Sequence, residues 1–228
     1  ASSANTTTLR SAGNLTLQGY SYAASGSGRG VDLNNDVIAA SGTVSMSGQH
    51  NTGATYALSL SGSTSITAGT GVTLDSLNDN TGTIALLSSG GIDGGSGTVL
   101  MRAANYAFGG ADRTITTTGV LTIEPDADEN SFASSFDNQY LNPVSVTGLT
   151  LGKSSNASAI TLSRAISLSG PVSIYGGSID VNANITANSG NILLDADTGN
   201  TLNQSSTGIL LDDVITIETV TSGNLTLI

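Results

Sequence analysis

The feature that most constrains this chain is a short repeated motif, in which a glycine precedes an aliphatic residue, a small polar residue and a second aliphatic residue. One copy reads GNLTL at 13–17. The others start at Gly42, Gly71, Gly82, Gly97, Gly119, Gly148, Gly170, Gly177, Gly190 and Gly223. The alternation has a period of two, so both aliphatic residues lie on one face of a strand and the polar residue lies on the other. The sequence therefore predicts many short strands, each with one buried face.

The spacing of these strands predicts how they connect. The first aliphatic residue recurs every six or seven residues, at Ile160, Ile166, Val172, Ile179, Ile185 and Ile192. This interval leaves room for a short strand and a corner, but not for a helical crossover. Antiparallel hairpins are conceivable, but the near-constant step favours an all-β parallel β-helix (β-solenoid) with three strands and about 20 residues per coil. Roughly eleven such coils, about 4.8 Å apart, would form a rod on the order of 50 Å long.

Composition supports a narrow solenoid and excludes some partners. Aromatic residues are 4% of the chain and Trp is absent, so the core has to be built from small aliphatic side chains. Six basic residues against seventeen acidic ones give a net charge of -11, which repels nucleic acid and anionic lipid surfaces. No Cys is present, and no run of eighteen apolar residues predicts a membrane span. We therefore expect residues 1–228 to form a single solenoid domain.

The second half of the chain resembles a known family. The segment 119–197 contains GVLTIEP and, further on, AITLSRAISLSGPVSIYGGSIDVNANITANSGNILLDAD. It resembles the repeat regions of large filamentous-haemagglutinin-like exoproteins, while residues before 119 are similar only in composition. The resemblance implies a right-handed parallel β-helix in a secreted bacterial surface protein that serves adhesion, aggregation or biofilm formation. The family's secretion domain carries motifs such as NPNL, of which only Asn142-Pro143 occurs here, so we expect this chain to lie outside that domain.

The last strand predicts how such a rod would be extended. Leu225, Leu227 and Ile228 form an aliphatic strand without a polar or helical cover after it. The end of a solenoid exposes unpaired backbone groups together with its apolar core. We therefore expect flanking repeats, or another copy of the protein, to stack on this end. A host or neighbouring cell surface is the other expected partner.

Two stretches interrupt the repeat and are predicted to be lateral loops. A Gly- and Ser-rich stretch spans residues 19–30, and a longer one spans residues 124–143. In the longer stretch, the carboxylates Asp126, Asp128 and Glu129 are candidate Ca²⁺ ligands, because Ca²⁺ prefers oxygen donors. Carboxylates in an exposed loop are more often simply hydrated, and this is the favoured interpretation.

The longer stretch is also where the aromatic residues concentrate. Phe132, Phe136 and Tyr140 lie within it, and we expect them to cover the flank of the solenoid rather than to bind a sugar.

Catalysis is the main alternative function, because parallel β-helices also carry polysaccharide lyases and hydrolases. Their sites need paired carboxylates, or a carboxylate with a metal and a basic cluster. Here Lys153 is the sole lysine, His50 is the sole histidine and the arginines are scattered. Asp212 and Asp213 are adjacent, so on a strand they would point to opposite faces. We therefore predict a structural or adhesive rod with no catalytic or cofactor-binding residues.

Two further alternatives concern the surface of the rod. A phage or viral fibre would obey the same packing rules, and a trimer in solution would favour it. A flat threonine array that orders ice is disfavoured, because the middle residue of the motif varies among Thr, Ser, Ala, Asp and Leu.

Overall fold

The computed structural model describes residues 6–21, 28–50, 56–77, 81–87, 90–109, 113–126, 129–143, 145–196 and 208–228. Over these residues the protein is all-β, without a helix, and every strand pairing is parallel.

One nine-stranded sheet, here called the continuous sheet, runs through the whole described chain. Its strands are β2 (Leu15–Ser21), β5 (Val44–His50), β8 (Val72–Ser76), β11 (Val99–Arg102), β14 (Val120–Glu124), β17 (Gly148–Leu151), β20 (Val172–Tyr175), β23 (Ile192–Asp195) and β26 (Leu225–Leu227).

The remaining strands form four shorter sheets. The six-stranded sheet contains β1 (Thr8–Ser11), β4 (Val37–Ala40), β7 (Ser65–Ala68), β10 (Gly91–Asp93), β13 (Arg113–Thr116) and β16 (Leu141–Pro143). The first four-stranded sheet contains β3 (Arg29–Asn34), β6 (Tyr56–Ser61), β9 (Thr83–Leu86) and β12 (Asn105–Phe108), and the second contains β15 (Phe136–Asp137), β18 (Ala159–Leu162), β21 (Ser178–Val181) and β24 (Ile209–Leu211). A three-stranded sheet contains β19 (Ile166–Leu168), β22 (Ile185–Ser189) and β25 (Ile217–Ser222).

Each strand pairs with the third strand before or after it along the chain, which is consistent with a parallel β-helix of three strands per coil. We call the chain between successive strands of the continuous sheet a coil. Val172 pairs with Ile192, 20 positions on, but Leu15 pairs with Val44, 29 positions on. The expected 20 residues per coil is therefore too small for most of the chain. The physical reason is that corners can lengthen at little entropic cost without disturbing the pairing.

The continuous sheet accordingly spans nine coil levels among the described residues, not eleven. At about 4.8 Å per level this corresponds to roughly 40 Å of stack.

The glycine-led motif marks one wall of this stack. Every strand of the continuous sheet carries a copy, and only the copies that start at Gly82 and Gly177 lie elsewhere, on β9 and β21. A Cβ atom on Gly119 would overlap the backbone oxygen of Gly97 on the preceding coil, and one on Gly223 would overlap that of Gly190. Glycine is required at this corner because the backbones of successive coils approach too closely for a side chain.

The aliphatic residues of the repeat form ladders inside the stack. Five of them have at most 2% of their surface exposed, which confirms that they point inward: Ile166, Val172, Ile179, Ile185 and Ile192. Val172 pairs with Ile192, and Ile166 pairs with Ile185, so like side chains lie above one another on successive coils. Burial of these ladders is the main source of stability in such a fold.

A charged side chain also lies inside the stack. Arg113 of β13 is fully buried and donates hydrogen bonds to the backbone oxygens of Leu60 and Thr64, at 3.1 and 3.2 Å. Burial lowers the pKa of Arg113 to about 10. Arg113 therefore has a structural role: it provides hydrogen-bond donors inside the stack to backbone carbonyl groups two coils away.

Candidate functional site

The wall formed by the two four-stranded sheets, here called the opposite wall, is interrupted part-way along the molecule, and so is the third wall. The first four-stranded sheet ends at β12 and the second begins at β15, while the six-stranded sheet ends at β16 and the three-stranded sheet begins at β19. Only the continuous sheet passes this level without a break in the described chain. We call the region formed by β12 and residues 129–143, which include β15, the junction.

The junction corrects the expectation of a lateral loop at 124–143. Phe136 in β15 pairs with Ile160, and Leu141 in β16 pairs with Arg113, so the second half of this stretch belongs to the stack. Phe132 and Phe136 are only 4% exposed and join the apolar core. The reason is that large aromatic rings fill the space where the facing strands stop pairing, and their burial outweighs the cost of ordering the segment. For the shorter stretch at 19–30, residues 22–27 lie outside the described residues.

Four aromatic rings pack together at the junction. Phe132 and Phe136 stack with their ring centroids 5.5 Å apart. Tyr106 contacts both of them edge to face, at 5.9 and 5.6 Å, and Phe108 contacts Phe136 in the same way at 6.1 Å. Edge-to-face contacts at these separations are favourable because the positive ring edge meets the negative ring face. Tyr106 and Phe108 come from β12, so the cluster joins two successive coils.

Beside this cluster lies a pocket of about 220 Å³. The four rings, Tyr140 and Ala104 form its apolar lining. Its polar lining comes from Asn105, Ser134, Ser135, Asp137 and Gln139.

The polar side chains of the pocket are held in place by hydrogen bonds. Ser134 donates from Oγ to Oδ1 of Asn105 at 3.1 Å. Asp137 accepts from the backbone N–H of Gln139 at 2.9 Å and from Oγ of Ser163 at 3.0 Å. The carboxylate of Asp137 remains exposed to solvent. This arrangement presents aromatic surface next to positioned donors and acceptors, the usual composition of a small-molecule site.

A row of charges borders the junction on the continuous sheet. Asp75, Arg102 and Glu124 occupy the same register on β8, β11 and β14. Arg102 donates from Nε to Oε1 of Glu124 at 2.8 Å, and this hydrogen bond raises the pKa of Arg102 above its ordinary value. Sequence reasoning treated the arginines as scattered and missed this row, although the repeat contained the signal. Aligning the glycine-led copies on one another places these three residues in one column.

Tyr106 connects the charge row with the aromatic cluster. Its hydroxyl donates a hydrogen bond to the backbone oxygen of Glu124 at 3.0 Å. Burial, aided by the negative charge of Glu124, raises the pKa of Tyr106 well above its ordinary value. The phenol is therefore a neutral, structural donor at ordinary pH.

The candidate Ca²⁺ ligands are only partly described. Asp126 is buried, and its backbone oxygen accepts from the N–H of Glu129 at 3.1 Å and from Nζ of Lys153 at 3.0 Å. Asp128 lies outside the described residues. Within the described ranges, no three or more His, Asp or Glu residues are grouped so that they could hold a metal ion. Calcium binding by Asp126, Asp128 and Glu129 stays a prediction.

The residues considered for catalysis do not converge on the pocket lining. His50 is buried at the end of β5, and Asp212 and Asp213 follow β24 on the exposed last coil.

Comparison with protein families, with curated proteins and with solved structures finds no match to this chain. The described residues contain no helix that is long and apolar enough to cross a membrane.

Proposed function

We propose that this chain is a segment of a rod-shaped, secreted bacterial surface protein of the filamentous-haemagglutinin-like type. In this proposal the three-stranded coils wind as a right-handed parallel β-helix, the hand that nearly all parallel crossovers adopt. The rod acts by structure and adhesion, in attachment, aggregation or biofilm, and carries no catalysis.

The observation that supports this proposal best is the uniformity of the continuous sheet. The central outward position of its strands is a hydroxyl residue at all but two levels: Thr16, Ser45, Thr73, Thr122, Thr150, Ser173 and Thr226. Leu100 and Leu193 occupy the remaining levels. A long sheet that carries a hydroxyl residue at seven of its nine levels suits a stiff extracellular spacer better than a catalytic cleft.

We propose that the partners of this rod are flanking repeats or other copies of the same protein, stacked end to end. A coil that stacks on another coil buries apolar surface and pairs backbone N–H and C=O groups at once.

Electron microscopy of the purified natural protein tests the rod directly. We expect thin rods whose length increases by about 4.8 Å per coil. A compact particle would contradict the proposal, as would release of sugar ends from a polysaccharide by the purified chain.

One observation favours a polysaccharide-active enzyme as the second candidate. Asp75, Arg102 and Glu124 form a row of charges on the continuous sheet. Tyr106, which lines the pocket, donates a hydrogen bond to the backbone oxygen of Glu124 and so connects this row with the pocket. Carboxylates near an aromatic pocket are what a glycan-cleaving site would require. Against this, Arg102 and Glu124 neutralise one another in an ion pair. Product release that disappears in Glu124→Gln would establish the enzyme, whereas a stable trimer in solution would favour a phage or viral fibre.

A further inference from the structure

We infer that the pocket at the junction binds one neutral sugar unit of a surface glycan. This inference deepens the adhesive role proposed above and rests on it, because it gives the rod a chemical class of target. It goes against the expectation that the aromatic residues of this stretch only cover the flank.

The shape of the pocket follows from the break in the wall. Phe132 and Phe136 are buried in the core, with 4% of their surface exposed. The other three aromatic residues of the pocket are half-buried and line its opening: Tyr106, Phe108 and Tyr140. The buried pair supports Tyr106 and Phe108 through edge-to-face contacts of 5.6 to 6.1 Å. These two rings are therefore held in place before a ligand binds, which lowers the entropic cost of binding.

The lining matches the two kinds of surface that a pyranose carries. A sugar ring has a face of C–H groups, which packs on aromatic rings, and a rim of hydroxyl groups, which needs hydrogen-bond partners. Asn105 and Gln139 provide amide groups, Ser134 a hydroxyl, and Asp137 a carboxylate acceptor around the same opening. Asp137 is already oriented by Gln139 and Ser163, so it can accept from a sugar hydroxyl without rearranging.

The size of the pocket limits the ligand to one unit. Its volume of about 220 Å³ lies below the roughly 300–1,000 Å³ of pockets that enclose drug-sized ligands. The pocket opens onto the flank of the stack, so the rest of a glycan chain would extend along the surface of the rod.

Charge selects neutral sugars over acidic ones. The exposed carboxylate of Asp137 lies at the opening, and the chain as a whole carries a net charge of -11. Both repel uronic acids and sulfated chains. Arg164 donates from Nη1 to the backbone oxygen of Gln139 at 3.5 Å, so this cation is turned toward the protein backbone at the same edge.

The test is a glycan array that carries neutral oligosaccharides of glucose, galactose and mannose beside uronic-acid and sulfated chains. The best neutral binder is then titrated into the wild-type chain and three variants. Phe108→Ala removes a half-buried wall, and Gln139→Ala removes an exposed hydrogen-bonding group with little risk to the fold. Tyr20→Ala is the matched control, because Tyr20 is a 53% exposed aromatic residue on β2 outside the pocket.

We expect Phe108→Ala and Gln139→Ala each to raise Kd about tenfold or more, and Tyr20→Ala to leave it within about twofold. Absence of neutral-sugar binding by the folded chain would overturn the inference. Equal binding by all variants, or a preference for acidic chains, would do the same. Rods in electron micrographs without sugar binding would remove only this inference, whereas compact particles would remove the proposed function.

Discussion

The continuous sheet and the wall opposite it obey the same pairing rule but differ in uniformity. The continuous sheet repeats one motif at every level, whereas the opposite wall changes its pairing between β12 and β15. Every strand of the continuous sheet follows a glycine-led corner, and at Gly119 and Gly223 the backbone approaches that of the preceding coil too closely for a side chain. A solenoid therefore tolerates a change of structure on one wall while another wall keeps the coils in register.

The largest expected effect tests whether inward ladders stabilise both walls equally. Ile174→Asp on the continuous sheet and Ile179→Asp on the opposite wall each place an unpaired charge at a position that is at most 1% exposed. We expect each to lower the free energy of unfolding by several kcal/mol. Chemical denaturation measures the effect, with the outward neighbour Ser173→Asp as the control. A loss at Ile179 no larger than that at Ser173 would mean that the broken wall contributes little.

A smaller effect separates the junction from the rest of the stack. Phe136→Ala removes a 4% exposed ring that contacts three other aromatic rings, and we expect a loss of about 3–5 kcal/mol. In the Phe136→Ala variant, amide hydrogen exchange should be accelerated more in β12, β15 and β18 than in β20 and β23. Tyr20→Ala should leave exchange unchanged. Uniform acceleration across all sheets would show instead that the junction is not an independent unit.

The glycine corner predicts a moderate loss with a matched control. Gly119→Ala places a Cβ atom against the backbone oxygen of Gly97, so the coils must shift, at about 1–3 kcal/mol. Gly13 leads the first copy of the motif, but a Cβ atom there meets nothing within 4 Å. Gly13→Ala should therefore be neutral or slightly stabilising in thermal unfolding. Equal losses at the two positions would contradict a role for coil-to-coil approach.

The smallest effect sharpens the link between the junction and the continuous sheet. Tyr106→Phe removes the hydrogen bond to the backbone oxygen of Glu124, at about 0.5–1.5 kcal/mol near neutral pH. The folded-state pKa of Tyr106 lies well above the ordinary 10.0, so above pH 10 the unfolded state loses the phenol proton first. The stability advantage of the wild-type chain over Tyr106→Phe should therefore shrink as the pH rises through 10.0. An advantage that grows with pH would reverse the assigned direction of the pKa shift.

Particular residues show where sequence reasoning succeeded and where it failed. Alternation within each motif identified Ile166 and Ile179 as inward, because strand geometry alone decides the face. The variation that argued against a regular threonine array came partly from Ala85 and Asp180, which lie on other sheets. Leu100 and Leu193 still interrupt the hydroxyl row on the continuous sheet.

The sequence by itself determined the all-β class, the parallel short strands and the inward aliphatic ladders, because these depend on contacts repeated at every level. Only the tertiary structure decided the coil lengths, the burial of Arg113 and the inclusion of Phe132 and Phe136 in the core. Arg113 and the two phenylalanines contact residues about one coil or more away, outside the glycine-led motif. Corner loops of variable length hide the register of these contacts from the sequence, since pairing between coils fixes the strands and leaves the corners free.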